Sequence, residues 1–210
     1  MRLFWAAAPL LLSACAAVAT GPVWTATRTT DPITSQTKCV VAAADQGFGL
    51  YYTRTAYLYP IVEQSSQYGL LVGVSSGGTI RLPVGDVYWR VDNKPFRTLR
   101  VADNPSPSQA STAQSTPNDY VAYAAKIAAQ IGSTATVASG ATAHDLLNEM
   151  LAGNSLIYRS AYAVPQYGLP NGGEQNVGQL TASGLHAYPL DKSFRASLTE
   201  CGIDSEATQR

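Results

Sequence analysis

The chain has 210 residues, of which 13% are charged, and its 14 basic and 14 acidic side chains cancel. That length fits one domain with enough chain for a real core. A zero balance without a basic stripe argues against a nucleic-acid partner. Ser, Thr, Gln, Asn and Gly supply the polar surface instead.

Residues 1–14 have the layout of an export signal, with Arg2 ahead of the apolar run Leu3 to Leu12 and small Ser13-Ala14 after it. The run is about ten residues, half of the roughly 20 that a membrane-spanning helix needs. Leu12-Ser13-Ala14-Cys15 resembles the lipobox of bacterial lipoproteins. The resemblance implies cleavage before Cys15, acylation of that cysteine (a diacylglyceryl thioether, with palmitate-type chains) and attachment to the cell envelope. Ala16, where an Asp would favour retention at the inner membrane, implies the periplasmic face of the outer membrane. The alternative is an ordinary secretory signal cleaved near Ala17 or Ala19. Residues 15–22, rich in Ala, Thr and Gly, cannot bury a core and read as a tether.

With Cys15 assigned to lipid under that resemblance, Cys39 and Cys201 remain, and an even pair in an oxidising compartment reads as a disulfide. Closing so long a loop contributes on the order of 5 kcal/mol in the chain-entropy model. Two thiols without a histidine at ligand spacing do not make a zinc site, and no cofactor is expected.

From Val23 to Val101 the chain reads as β-structure. Cys39 to Ala42 is short and apolar, Leu50 to Leu58 is rich in aromatic strand formers, and Tyr68 to Val74 is apolar again. Ser75-Ser76-Gly77-Gly78 reads as a hairpin turn leading into a strand from Thr79 to Leu82. Asp86 to Asp92 alternates, with Val87, Trp89 and Val91 on one face and Tyr88, Arg90 and Asp92 on the other. Asn93-Lys94-Pro95 reads as a second turn, after which Leu99 and Val101 point inward. Arg90 and Asp92 read as structural, through a cross-strand ion pair or a cap on that turn.

Residues 102–117 form a Pro/Ser-rich loop. Two helices follow. One spans about 117–131, with Pro117 at its first position, and the other about 142–152, capped by Thr142 with Leu146, Leu147, Met150 and Leu151 as its apolar stripe. Ser155 to Val164 suggests a strand, Pro165 to Gly178 a loop, and Ser193 to Glu200 a short helix anchored by Phe194 and Leu198. Residues 204–210 are a polar tail. The whole predicts one α+β domain over 23–203: an antiparallel sheet with two helices packed on one face and one disulfide.

Gly73-Val74-Ser75-Ser76-Gly77 matches the G-x-S-x-G pattern of a nucleophile elbow, but the glycines and Pro83 after it disfavour the helix such an elbow needs. His144 and His186 are 42 positions apart, with no third ligand patterned beside them. The tyrosines are the more suggestive group: Tyr51, Tyr52, Tyr57 and Tyr59 combine contact area with a polar tip and form a candidate contact surface for a glycan or protein, although strand propensity alone also favours Tyr. Trp24, the run Thr30-Asp31-Pro32-Ile33-Thr34 before Cys39 and the later Arg90-Val91-Asp92 resemble, over about a third of the chain, small exported proteins of the invasion-associated locus B type. Those proteins carry further cysteines, so no function or site residue is transferred. The expectation for the whole is a lipid-anchored envelope lipoprotein acting as a binding or assembly module, with a lipid-anchored serine hydrolase using Ser75 as the alternative.

Overall fold

The computed structural model describes residues 22–43, 57–78, 81, 83–105, 128, 132–160, 179–181 and 184–203. In these the chain is α+β, with antiparallel sheets, two helices on one sheet face and one disulfide.

The larger sheet has five strands in the order β1 (Trp24–Thr30), β2 (Thr37–Ala43), β3 (Tyr57–Ser65), β4 (Gly69–Gly77) and β7 (Ala135–Ser139). Local turn chemistry sets its registers. Between β1 and β2 the Asp31 carboxylate accepts from the backbone N–H groups of Ile33 (2.7 Å) and Thr34 (3.1 Å), an Asx-type turn that brings Thr30 opposite Thr37. Between β3 and β4 Ser65 Oγ accepts from Gln67 and Tyr68 N–H, and Gly69 takes φ 70°. At Gly73 a Cβ would stand 2.1 Å from the Thr136 carbonyl oxygen, so only glycine lets β7 lie this close to β4.

The smaller sheet has four strands in the order β11 (Tyr188–Pro189), β8 (Ser155–Ser160), β5 (Val87–Val91) and β6 (Arg97–Leu99). A further pair joins β9 (Gln179–Thr181) to β10 (Gly184–His186). The single sheet expected from the sequence is thus divided in two. After β4 the chain passes Gly78 (φ 95°), Pro83 and Gly85 (φ 69°) and starts a new sheet, while β7 from the later half of the chain takes the place beside β4. The expected hairpin turn at Ser75–Gly78 is also corrected. Ser75, Ser76 and Gly77 continue β4 opposite Tyr59, Leu58 and Tyr57, because β3 offers all three a backbone partner and β7 adds Ala135 opposite Ser75.

Helix α1 (Gly140–Ala152) begins two residues before the expected start, with Ser139 and not Thr142 at the N-cap position and no side-chain capping bond: Gly140 at φ 58° turns the chain from β7 directly into the helix. Its buried residues Ala143, Leu146, Leu147 and Met150 repeat at helical spacing. Helix α2 (Lys192–Glu200) starts where Asp191 accepts from Ser193 N–H (2.9 Å) and Phe194 N–H (3.3 Å). The helix expected over 117–131 lies outside the described residues except at Ala128, which is helical.

One core joins these layers. Val41, Val62 and Val72 from the five-stranded sheet, Leu146 and Met150 from α1, Phe194 and Leu198 from α2, and Trp89, Leu156 and Tyr158 from the four-stranded sheet are buried in one cluster. Trp24 anchors its far end: Nε1 donates to the Pro189 carbonyl (2.7 Å), and its ring packs on Phe194 at 4.8 Å. The Cys39–Cys201 disulfide ties β2 to the end of α2 across 162 positions of sequence.

Candidate functional site

The four-stranded sheet keeps strict alternation on its two central strands. Val87, Trp89 and Val91 on β5 and Leu156, Tyr158 and Ser160 on β8 are buried, so Tyr88, Arg90, Ile157 and Arg159 face outward. Antiparallel register then sets Tyr88 opposite Arg159 and Arg90 opposite Ile157. A cation therefore faces an aromatic or aliphatic side chain in each pair, and the two arginines lie on the diagonal.

These residues, with Phe96 from the turn after β5, line a groove of about 540 Å³. The Arg159 guanidinium sits over the Tyr88 ring, 5.4 Å from its centroid. Phe96 meets Tyr88 edge to face at 5.7 Å and 84°, and is itself 65% exposed. Among the described residues no acidic side chain lines the groove. Among the described residues neither Arg90 nor Arg159 has an ion pair; the ion pair there joins Arg97 to Glu149 of α1.

The turn that presents Phe96 is held from behind. Asp92, in the left-handed region at φ 50°, accepts from Asn154 N–H (3.1 Å), Ser155 N–H (2.8 Å) and Ser155 Oγ (2.9 Å). Burial opposes its charge, but these hydrogen bonds, with Lys94 nearby, outweigh that and hold the carboxyl below its usual value. Asp92 therefore does not cap Asn93-Lys94-Pro95, and among the described residues Arg90 has no cross-strand acid. Asp92 clamps the end of β5 to the start of β8. Gly153 makes the clamp possible, since a Cβ there would lie 2.2 Å from Val91 Cγ1. Beneath the groove Tyr158 donates its phenolic hydrogen to the Leu58 carbonyl (2.7 Å); burial, and then Tyr188 beside it, push this phenol well above its usual pKa, so it stays a donor.

Of the residues singled out in the sequence, Cys39 and Cys201 are brought together as the disulfide, both buried. Cys15, Tyr51 and Tyr52 lie outside the described residues. Tyr57 begins β3. Tyr59, further along that strand, is half-buried against Ile61, Leu71 and Val137 on the outer face of the five-stranded sheet. Ser75 is half-buried inside an uninterrupted strand, without the strand-to-helix turn a nucleophile elbow requires. His144 is exposed on α1. The alternation marked Tyr88 and Arg90 as outward; only the pairing of β5 with β8 joins Ile157 and Arg159 to them as one site.

Among the described residues no helix is long and apolar enough to cross a membrane, and no cluster of His, Cys, Asp and Glu is fit to hold a metal ion. No family model, no curated protein and no solved structure matches the chain.

Proposed function

We propose that the chain is a lipid-anchored lipoprotein of the cell envelope, on the periplasmic face of the outer membrane, where its domain acts as a non-enzymatic binding or assembly module. The observation that carries the anchor is Leu12-Ser13-Ala14-Cys15 directly after a short apolar run behind Arg2. The Cys39–Cys201 disulfide supports export, because such bonds persist in oxidising compartments. Several acyl chains on Cys15 would hold the domain firmly, at about 0.8 kcal/mol for each buried CH₂. An exposed groove rich in Arg and aromatic side chains is the composition that contact surfaces favour.

The test is fractionation of cells expressing the wild-type chain or Cys15→Ala, with metabolic labelling by a clickable palmitate analogue. Wild type should carry label and sediment with membranes, and Cys15→Ala should appear unlabelled in the soluble periplasm. A Cys15→Ala chain that stays on the membrane, or a wild-type chain without label, refutes the anchor.

A further inference from the structure

We infer that the Arg90–Arg159 groove is a docking site for an acidic peptide segment of a partner protein, which sets a carboxylate against the two guanidinium groups and an apolar side chain against Tyr88, Phe96 and Ile157. This deepens the reading of the domain as a binding module and names the chemistry of its partner.

The argument begins with charge. Arginine is the cation suited to carboxylates at an interface, since its planar fork donates two parallel hydrogen bonds. A structural arginine in this fold looks different: Arg97, on the strand beside β5, reaches Glu149 with both Nε and Nη2. Arg90 and Arg159 have no such partner among the described residues. The nearest acid in sequence, Asp92, already accepts from Asn154 and Ser155 and has Lys94 as its cationic neighbour. Among the described residues the groove thus carries two positive charges without an acidic partner, although the chain's charges balance as a whole. The complement is an anion.

Shape and apolar content narrow the class. The volume of about 540 Å³ falls within the range of ligand clefts, roughly 300–1,000 Å³. A bilayer is locally flat and would meet the rim at Phe96 without filling the concavity. A hydrophilic polyanion would use the arginines but leave Tyr88, Phe96 and Ile157 in contact with polar groups. A peptide satisfies both demands, because neighbouring residues can supply a carboxylate and an apolar side chain. Tyr and Arg are also among the residues on which protein interfaces concentrate their binding energy, and Phe is enriched at such interfaces.

The test uses the full chain carrying Cys15→Ala, so that loss of the anchor and loss of docking are read separately. The probe is a displayed library of random fifteen-residue peptides, followed by fluorescence anisotropy with the selected sequences. Asp or Glu next to aromatic or aliphatic residues should be enriched. Replacing those acids by Asn or Gln should weaken binding about tenfold or more, as should Arg90→Ala or Arg159→Ala, while Lys38→Ala on the other sheet should not. Thermal melts of each variant confirm that it is folded. The proposal is overturned if acidic and amide peptides bind alike, or if folded Arg90→Ala and Arg159→Ala chains retain affinity. It is equally overturned if phosphatidylglycerol vesicles or heparin bind in an arginine-dependent way and the peptides do not.

Discussion

The two faces of the β5–β8 pair are built from alternate residues of the same ten or so positions, yet they obey opposite rules. Inward, Trp89, Val91, Leu156 and Tyr158 are each 2% exposed or less and belong to the common core. The one hydroxyl among them, on Tyr158, is hydrogen-bonded to Leu58. Outward, Tyr88, Arg90, Ile157 and Arg159 form a concave face whose charges have no acidic partner within the described residues. A sheet face that only needed to be soluble would mix both signs of charge. An unopposed pair of arginines among aromatic side chains instead leaves attraction unspent on folding.

The inner face should govern stability. Trp89→Ala removes the largest buried side chain of β5 and should cost about 3–5 kcal/mol, read as a fall in denaturation midpoint. A cost below about 1 kcal/mol would mean that the inner face is not the packed one, and the contrast would fail. The clamp behind the groove comes next. Asp92→Asn keeps a residue tolerant of the left-handed region but replaces charged hydrogen bonds by neutral ones, for a loss of the order of 1 kcal/mol in this solvent-accessible site. Its pH dependence has a fixed sign. The folded carboxyl titrates below its ordinary value of 3.8, so its contribution is present above that value and is lost as pH falls through the lower folded one. The stability gap between wild type and Asp92→Asn should therefore hold from neutral pH down to about 5 and close below about 4. A gap that stays constant to low pH would show that the carboxylate is not the clamp.

Local signals made part of this visible in the sequence. The period of two over Asp86–Asp92 corresponds to β5, the stripe Leu146-Leu147-Met150 to α1, and Phe194 and Leu198 to α2, since in each case a segment's own side chains must choose between core and water. What escaped depends on distant partners. Ser75-Ser76-Gly77 resembles a turn by composition but extends β4 because β3 pairs with all three of these residues, and Ser76 N–H, just past the β7 ladder, still reaches the Thr134 carbonyl at 2.8 Å. The division into two sheets rests on the backbone bends at Gly78 and Gly85 and on β7 arriving from sixty residues away. The groove was hidden for the same reason. Arg90 and Arg159 are far apart in sequence, and only a register, not a motif, places them side by side.

The smallest expected effect on stability is the most informative about the outer face. Arg90→Ala combined with Arg159→Ala removes no hydrogen bond or ion pair seen in the fold, only the stacking of Arg159 on Tyr88, which at an exposed site contributes about 0.5–1 kcal/mol. Relief of repulsion between two like charges on neighbouring strands offsets part of that loss. The double variant should therefore melt within a few degrees of wild type, given that about 1 kcal/mol shifts the midpoint of a domain this size by roughly 2–4 °C. Raising the salt concentration should narrow even that difference, because exposed charges are screened. A fall of ten degrees or more would mean that the arginines serve the fold after all, and the distinction between a face that stabilises the protein and a face kept for a partner would have to be withdrawn.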